Sequence, residues 1–390
     1  MEPIVFLQSD VKDPYSLYED RLWEGPIHKD PDKALWGIYG YEECKTLLSH
    51  PLTEIPALNP GNKDGLNEYA WLLQDHFVRI SNPPRHEVAR WAGIHLMTQM
   101  TRPSIPAILE GLMQRSGKHG EINWVEQVGK VLPVALMLKS FKFNAKDSEY
   151  IAENIASLTK IMSPEKTKEQ VTEINTIATA LFPIVRRHIL ETHPYPDMVE
   201  ALSRGYDLDK DTAIAYVVSN LIGLFIQGYD ACRGLLSNVL LSVLREGGPQ
   251  QPQSGLADKK IMGKWVMETL RFDPPVHNTR RVFTGDISLR HKEIKKGDIL
   301  FIILAAANRD TRKFDRPRLF NIERSNDDEH MTLGSGPHSC LAKYFAVQLT
   351  TETLACLFEK YRTVTLADAN MEYEPLVNIR MPKKIIIDLK

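Results

Sequence analysis

The sequence has little of what marks several common classes of protein. Its 390 residues include only four cysteines, and no two of them are spaced as a disulfide framework or a paired zinc motif requires. Basic and acidic residues nearly cancel, which leaves a formal net charge of −2 and no bulk attraction to nucleic acid or to an anionic membrane. The composition therefore favours a protein of a reducing compartment that does not bind polyanions.

Targeting, membrane and linker signals are also missing. The first ten residues have no basic region and no apolar run of membrane length, so we expect no signal peptide, no membrane anchor and a cytoplasmic location. The low-complexity piece at 247–255 predicts an exposed connector between helices and is too short to divide domains. We expect a single domain over 1–390 with a core large enough to enclose a cofactor.

The strongest pattern in the sequence is the helical spacing of apolar residues. Apolar spacing predicts a long central helix over 211–244, which would measure about 50 Å at 1.5 Å per residue. Proline, asparagine and glycine predict an irregular loop over 52–66. The pattern as a whole predicts a mainly α fold with small β-sheets. Other helices are predicted over 85–99, 124–138, 148–161, 166–191 and 256–272 and after Cys340, and strands around 36–40, 281–283, 299–304 and 384–387.

One cysteine stands between a glycine-rich loop and a predicted helix start. Residues 333–342 read Leu-Gly-Ser-Gly-Pro-His-Ser-Cys-Leu-Ala, with the cysteine at 340. The glycines permit a tight turn, and the N–H groups at a helix start favour a thiolate, which is a metal ligand. The alternatives are a buried cysteine that acts as a small hydrophobe, or a His338/Cys340 metal pair, for which no second pair completes a zinc site.

This loop resembles the heme-binding loop of the cytochrome P450 family, Phe-Gly-x-Gly-x-His-x-Cys-x-Gly, in which the cysteine sulfur is the proximal iron ligand. Leu333 stands in the place of the phenylalanine and Ala342 in the place of the last glycine. The resemblance implies that the cofactor is heme b and that Cys340 binds its iron. It also implies the family's triangular prism, with heme between the long central helix and the helix after the cysteine loop.

A second motif occurs ahead of this loop. Glu268-Thr269-Leu270-Arg271 resembles the Glu-x-x-Arg signature of the same family, and residues three apart share a helix face. An ordinary surface pair with this spacing is the alternative, and such pairs contribute little. The resemblance implies that Glu268 and Arg271 belong to a structural triad whose third member is Arg318 or Arg324.

The two propionate carboxylates of heme need cations or strong donors when they are partly buried. Positions that resemble the family's propionate partners occur in three separate places, in the family's order, although each residue could instead be a surface cation. They are His86 and Arg90, which lie one helical turn apart, then Arg281, and then His338.

The long central helix departs from the family on the distal side of the heme. The family pattern Ala-Gly-x-Asp/Glu-Thr corresponds here to Gln227-Gly228-Tyr229-Asp230-Ala231, so the acid is kept and the hydroxyl is absent. Gln227 and Ala231 share a helix face, which Asn220, Gly223 and Gly234 extend. Protons would come from water ordered by Gln227, from the substrate's own hydroxyl, or from Asp230 through water. Helix packing is the alternative for the glycines.

The substrate pocket can be located only by region. The resemblance places Phe225, Val276, His277, Asn278 and Val377 near it. For His277 the alternative is a side chain that faces Arg281 or solvent. If it points inward, the substrate would carry a hydrogen-bonding group.

Taken together, these motifs imply a heme-thiolate monooxygenase that activates O2 and hydroxylates or otherwise oxidises a small organic molecule, in secondary metabolism or catabolism. Because the sequence contains no reductase-like region, electrons would come from a separate ferredoxin or flavodoxin with its NAD(P)H reductase. We expect a monomer. The alternatives are a peroxide-driven or non-oxygenating heme-thiolate enzyme and a non-catalytic heme-binding sensor.

Overall fold

A computed structural model describes residues 3–58, 65–114, 120–246 and 253–390. The predicted loop over 52–66 and connector over 247–255 lie partly outside these residues. The helices are α1 (Pro14–Glu24), α2 (Tyr41–Leu48), α3 (Glu68–His76), α4 (Arg85–Thr98), α5 (Ile105–Met113), α6 (Leu132–Ser140), α7 (Ala145–Leu158), α8 (Lys168–Glu191), α9 (Tyr195–Tyr206), α10 (Lys210–Glu246), α11 (Lys259–Phe272), α12 (Leu304–Ala307) and α13 (Lys343–Lys360). The strands are β1 (Ile27–Lys29), β2 (Leu35–Ile38), β3 (Thr53–Glu54), β4 (Glu121–Asn123), β5 (Thr279–Phe283), β6 (Ile287–Leu289), β7 (Lys292–Ile294), β8 (Ile299–Ile302), β9 (Val364–Leu366) and β10 (Ile386–Leu389).

The chain is arranged in two units, each assembled from separate stretches of sequence. Unit 1 comprises Met1–Glu54, Ile105–Leu132 and Asp230–Lys390, and unit 2 comprises Ile55–Ser104 and Pro133–Tyr229. The strands named above all belong to unit 1, whereas unit 2 is built from helices. The expectation of a single domain stays a prediction.

In unit 1 a five-stranded sheet has the order β1-β2-β8-β5-β3. Strands β2 and β8 run parallel, with Trp36 opposite Leu300, and the other pairs in this sheet are antiparallel. Apolar side chains from the sheet, from α2 and from the segment after α12 form a fully buried core, which includes Ile38, Leu47 and Phe314. The loop that carries Cys340 begins two residues after Met331, the last residue of this core along the chain. Two smaller sheets have the order β4-β10-β9 and β6-β7.

In unit 2 the helix α8 packs against α3, α7 and α9. It begins with a capping box in which the Thr167 side chain accepts from the Gln170 N–H and the Gln170 side chain accepts from the Thr167 N–H. These reciprocal bonds satisfy two backbone donors at the helix start. Apolar residues then recur on one face, and Ile174 and Leu181 are almost completely buried.

The predicted fold class, mainly α with small β-sheets, is confirmed. The predicted helix over 124–138 is interrupted: a single π-helical turn at Val125–Gly129 precedes α6, and Pro133 lies at the second position of α6. Proline has no N–H to continue the preceding ladder, so the helix restarts there. Among the described residues, α10 is long and apolar enough to cross a membrane by composition, but most of its apolar stretch is buried inside the protein.

Candidate functional site

The loop around Cys340 is a tight turn that only glycine can form at two positions. Gly334 and Gly336 have φ values of +73° and +70°, which L side chains rarely adopt. A Cβ atom on Gly336 would also come within 2.9 Å of the Leu48 carbonyl oxygen. The Cys340 N–H donates to the Leu333 carbonyl at 2.8 Å and closes the turn. The sequence prediction of a tight glycine turn ahead of a helix therefore agrees with the geometry.

Cys340 lies three residues before the start of α13, and the residue is exposed and forms no disulfide. An accessible thiol beside a helix N-terminus has the environment that stabilises a thiolate. Within unit 1 its charge reaches Cys232 on α10: burial first, and next the negative charge of Cys340, raise the pKa of the Cys232 thiol to about 12. Cys232 is therefore protonated at neutral pH, whereas Cys340 is placed to be the reactive sulfur.

Helix α10 is buried from 213 to 243 except for one run, 227–231, which is half-buried. Its apolar neighbours in sequence, such as Ile226 and Leu235, are 2% exposed. Accessible surface in the middle of a buried helix is the part against which a flat bound group can lie. Within unit 1, the accessible thiol of Cys340 supplies a ligand of the right chemistry for heme iron, so this residue fits a heme-thiolate cofactor.

The acid on α10 is held by an arginine from the next turn of the same helix. Arg233 donates to Asp230 at 2.9 Å and lies 3.3 Å from a carboxylate oxygen of Glu374. Burial raises the pKa of Asp230 above its ordinary value, while the charge of Arg233 opposes this shift. Arg233 and Glu374 were not predicted. The i,i+3 spacing of Asp230 and Arg233 was visible in the sequence, but Glu374 could not be found without the fold.

The predicted pair on α11 is completely buried. The Arg271 guanidinium donates to Glu268 Oε1 at 2.6 Å and to Glu268 Oε2 at 2.9 Å, and both side chains are 0% exposed. Arg324 Nε lies 3.4 Å from Glu268 Oε2, and its side chain is 7% exposed. Arg318 instead pairs with Glu19 at 2.6 Å and is 76% exposed. Of the two candidates, Arg324 is therefore the third member of the cluster.

A buried histidine lies beside this cluster. His330 Nδ1 accepts from the Thr332 N–H at 3.2 Å, and burial, followed by the charge of Arg271, lowers the pKa of His330 to about 4. Unfolded histidine has a pKa near 6.5, so the unfolded chain takes up a proton that the folded chain refuses. Stability attributable to His330 is thus complete above about pH 6.5 and declines as the pH falls toward 4.

We predict that His330→Asn flattens the pH dependence of stability, because the asparagine Oδ1 can accept from Thr332 without titrating. Between pH 6.5 and 4 the wild-type free energy of unfolding should fall by about 3 kcal/mol more than that of the variant, at up to about 1.4 kcal/mol per pH unit. Urea denaturation at four pH values measures the difference. His193→Asn, at a side chain that is 84% exposed, is the control. Parallel pH curves for wild type and His330→Asn would contradict the prediction.

The predicted propionate partners are divided between the two units. In unit 1, Arg281 is 2% exposed on β5 and donates to the Arg280 carbonyl at 2.7 Å, and His338 ends a short turn in the cysteine loop. In unit 2, His86 and Arg90 lie one turn apart on α4, where His86 is 3% exposed. Each of these four residues is a cation or a strong donor and is buried or half-buried, as a partner for a partly buried propionate must be.

Within unit 2 the structure corrects part of the reasoning about α10. A Cβ on Gly223 would come within 2.3 Å of the Phe77 ring, so this glycine serves packing, and Asn220 binds backbone groups of the segment 76–78. Phe225 is fully buried between Phe141 and Phe143, with ring centroids 6.1 and 5.8 Å away, so it is a core residue and the pocket prediction for it is wrong.

Gln227 and Gly234 also belong to the α10 face that was predicted to lie over the heme. Gln227 is half-buried and its amide makes only a long hydrogen bond, 3.4 Å, to the Gly223 carbonyl. In unit 1, a Cβ on Gly234 would come within 2.8 Å of Pro275. Helix packing through small residues therefore explains both glycines, Gly223 and Gly234, and leaves Gln227 for another role.

His277 also differs from its prediction. It is 0% exposed, its Nδ1 lies 3.0 Å from the Tyr18 hydroxyl, and its Nε2 lies 3.3 Å from the Tyr15 hydroxyl. Burial lowers the pKa of His277 well below its ordinary value. The ring therefore faces neither solvent nor Arg281 nor a pocket, and His277 anchors α1 to the segment before β5.

The neighbouring pocket predictions have structural contacts of their own. The Asn278 amide donates to the Val377 carbonyl at 2.8 Å, and Asn278 is 5% exposed. Val276 pairs with Ile379 in an isolated antiparallel bridge. Val276 and Val377 are half-buried, so of the five predicted pocket residues these two keep accessible surface for a ligand.

The known proteins similar to this chain are cytochromes P450. The family model described as Cytochrome P450 matches residues 243–387. The biotin biosynthesis cytochrome P450 of Bacillus subtilis is 27% identical over 379 residues, covering 95% of this chain and 94% of that one. The crystal structure of CalO2 superposes with a TM-score of 0.84 at 19% identity, covering 100% and 99%. That of P450BioI with a hexadec-9Z-enoic acid ligated acyl carrier protein has a TM-score of 0.82 at 24% identity, covering 97% and 99%.

The fold and the accessible cysteine of the glycine loop define a heme-binding protein of the thiolate class. Residues 243–387 match the Cytochrome P450 family model, and cytochromes P450 are similar to nearly the whole chain. Members of this family are oxidoreductases whose cofactor is heme b. Among the described residues there is no cluster of three or more His, Cys, Asp or Glu side chains suited to a metal, so a zinc site built on His338 and Cys340 has no further ligands.

Proposed function

We propose that this protein is a monooxygenase that oxidises a small organic molecule, with Cys340 as the iron ligand. The observation that carries the proposal is the accessible thiol of Cys340, held by the Cys340 to Leu333 hydrogen bond between two positive-φ glycines and a helix start. When bound, heme b supplies the iron at which dioxygen is activated. The loop's part is to hold the sulfur as a thiolate and to fix its direction.

The other residues have supporting roles in this proposal. The propionates would be held by His86, Arg90, Arg281 and His338. The cluster of Glu268, Arg271 and Arg324 would fix the segment that leads to the cysteine loop, because Arg271 also donates to the carbonyls of Asn308, Pro317 and Leu319. Val276 and Val377 would contact the substrate.

Proton delivery is where this chain differs from its family. Asp230 would carry the proton, and Arg233 would hold the carboxylate at 2.9 Å until water exchanges with it. The half-buried amide of Gln227 would order that water, because Ala231 has no hydroxyl to do so. The raised pKa of Asp230 suits it to accept and release a proton closer to neutral pH.

Ala231→Thr tests whether the site works without the hydroxyl. We expect product formed per electron to change less than about threefold, far below the roughly 100-fold that a general acid commonly contributes. Ala231→Val is the matched control, since it adds the shape of threonine without the hydroxyl. Product and hydrogen peroxide are measured against NADPH consumed. A large increase in coupled product with Ala231→Thr but not with Ala231→Val would contradict the proposal.

Electrons would be supplied by a separate ferredoxin or flavodoxin with its NAD(P)H reductase, and we propose a monomeric, cytoplasmic enzyme of secondary metabolism or catabolism. The deciding experiment compares turnover with ferredoxin, reductase, NADPH and O2 against turnover with peroxide alone. Product only in the first case supports the proposal. The absence of any ligand-induced change in the heme spectrum over a broad panel of compounds would favour a sensor instead.

Ala231 is the observation that favours a second candidate, a peroxide-driven heme-thiolate enzyme. Peroxide already carries the protons that the threonine hydroxyl helps to deliver in the family pattern, so its chemistry does not need a timed relay. Turnover with peroxide that exceeds turnover with the reductase system would select this candidate. Failure of peroxide to support any turnover would exclude it.

A further inference from the structure

Residues 8–12, the N-terminal strap, lie along residues 376–379, the pocket wall, which carries the proposed substrate contact Val377. Both stretches belong to unit 1, although 369 positions separate Gln8 from Val377. The Gln8 N–H donates to the Leu376 carbonyl at 2.8 Å, and the Gln8 side-chain amide donates to the Val377 carbonyl at 3.3 Å. The strap therefore contacts the wall through both the backbone and the side chain of one residue.

Arg380, the residue that follows the pocket wall, fastens the strap along its length. Its guanidinium donates to the carbonyls of Gln8, Val11 and Lys12 at 2.8, 3.2 and 2.9 Å. The same group lies over the Tyr373 ring, 3.5 Å from its centroid, and Arg380 is 3% exposed. A planar guanidinium with bound donors and a stacked face has little freedom to move. The position of the strap relative to the wall is therefore fixed.

The pocket wall is also held by the segment before β5. The Asn278 amide donates to the Val377 carbonyl at 2.8 Å, and the His277 N–H donates to the Asn378 carbonyl at 2.9 Å. A carbonyl oxygen has two lone pairs, so at Val377 one is available to Asn278 and one to Gln8. Two donors on one carbonyl determine the orientation of that peptide plane and, with it, the direction of the Val377 side chain.

Gln8 is buried, but its side chain is poorly satisfied there. It is 1% exposed, and its amide forms only long hydrogen bonds, 3.3 Å to the Val377 carbonyl and 3.4 Å to the Tyr18 hydroxyl. Its Oε1 has no hydrogen-bond partner in the part of the chain that the structure describes. A buried acceptor without a partner costs about as much as a weak hydrogen bond contributes, so this amide adds little to stability. An amide at this position therefore calls for a role other than stability.

We propose that Gln8 is a positioning residue for substrate recognition, which acts through Val377. It orients the Val377 peptide so that the half-buried side chain presents one fixed surface to the substrate. That side chain also packs against a core cluster that includes Ile4 and Tyr18, so a change in the peptide plane alters its packing as well. This role rests on the proposed function, in which Val377 contacts the substrate, and it adds the N-terminal strap to the elements that determine which molecules fit.

The test uses the heme-loaded, full-length protein and N-alkylimidazoles with chains from methyl to dodecyl. The imidazole ring binds heme iron, and the alkyl chain suits a wall whose half-buried side chains, Leu376, Val377 and Ile379, are apolar. Optical titration gives the dissociation constant of each compound. Val377→Ala should weaken binding of the chain lengths that contact the wall. Gln8→Met should weaken binding of the same lengths about threefold or more, the effect of one hydrogen bond, while the affinity for N-methylimidazole stays unchanged in both variants.

The double variant shows whether Gln8 acts through Val377. Gln8→Met should have almost no further effect on chain binding when it is combined with Val377→Ala, because the side chain that it positions has been removed. Gln8→Asn is a second variant, whose amide is one methylene too short to reach the Val377 carbonyl. It keeps the polarity of the site and should show the same selective loss.

A second measurement needs no heme ligand. Hydrogen exchange of the amides in 373–381 should be about threefold faster or more in Gln8→Met, whereas Tm should change by less than about 4 °C. A residue that only stabilised the fold would lower Tm instead. Gln348→Met is the matched control, because it makes the same change at an exposed amide on α13 that bonds to Glu352. It should alter neither chain binding nor exchange in 373–381.

The outcomes separate this role from the proposed function. Equal weakening of all chain lengths by Gln8→Met, full additivity in the double variant, unchanged exchange in 373–381, or a fall in Tm of more than about 4 °C would each overturn the role of Gln8 and leave the monooxygenase proposal intact. If Val377→Ala weakens binding of no chain, Val377 does not line the pocket, and both its proposed substrate contact and the positioning role of Gln8 are wrong.

Discussion

Cys340→Ser protein is expected to fold but to lose the thiolate type of carbon monoxide spectrum together with its turnover. Serine has nearly the same volume, and the residue is exposed, so little packing is lost. Its hydroxyl stays neutral at pH 7, however, and cannot replace an anionic sulfur as a strong electron donor to iron. Replacing groups that only support a metal ligand commonly costs 10–100-fold, so removing the ligand itself should reduce turnover by more than about 100-fold.

The measurement is the carbon monoxide difference spectrum of the reduced protein, with heme content determined on the same sample. Cys356→Ser is the matched control, because Cys356 is a half-buried thiol on α13, the helix that follows the Cys340 loop, and lies nearly four turns beyond the helix start. Cys232→Ser is a second control, since Cys232 is within electrostatic range of Cys340. If Cys340→Ser keeps the thiolate spectrum and Cys232→Ser loses it, the ligand has been assigned to the wrong cysteine.

The sequence predicted best the features that are local in the chain. The turn at 333–342 could be predicted because glycines, proline and cysteine within ten residues determine its shape. Glu268 and Arg271 could be paired because helix geometry alone brings them together. Long apolar periodicity likewise located α10 to within two residues at each end.

Predictions failed where a side chain's partners come from distant sequence. His277 is buried by Tyr15 and Tyr18, some 260 positions earlier, and no local pattern indicates that. The choice between Arg318 and Arg324 depended on which one reaches Glu268, although both lie at similar distances along the chain. Phe225 lies on the predicted helix but packs against other aromatic rings. The spacing of apolar residues shows which helix face is buried, but it does not show what covers that face.

The same distinction applies to the two acids that contact Arg233. Asp230 was identified from its motif, while Glu374, the second acid on Arg233, comes from a segment 141 positions later. A single arginine shared by two carboxylates binds each less firmly than an exclusive partner would, because the charges compete. In the proposed proton delivery, the Asp230 carboxylate should therefore leave Arg233 for water more readily than the 2.9 Å contact alone suggests.

Glu268→Gln should cost the folded protein more than any other single change considered. The substitution keeps the side-chain volume but leaves the guanidinium of Arg271, which is 0% exposed, without its counter-charge. Removing one partner of a buried pair typically costs 3–5 kcal/mol, a large share of the roughly 5–15 kcal/mol that stabilises a domain. The three backbone carbonyls that accept from Arg271 remain, so the loss measures the missing charge together with the one carboxylate oxygen that becomes an amide NH2 and no longer accepts a hydrogen bond.

Glu323→Gln is the matched control for this prediction. It makes the same chemical change two positions from Asn321, whose N–H donates to Glu268, but it breaks only an exposed pair with Lys264, where the glutamate is 68% exposed. We expect the control to change the free energy of unfolding by less than about 1 kcal/mol. Urea unfolding and heme retention on gel filtration measure both variants. Equal effects would mean that the buried charge cluster does not hold this region together, and that the carbonyl contacts of Arg271 do so without it.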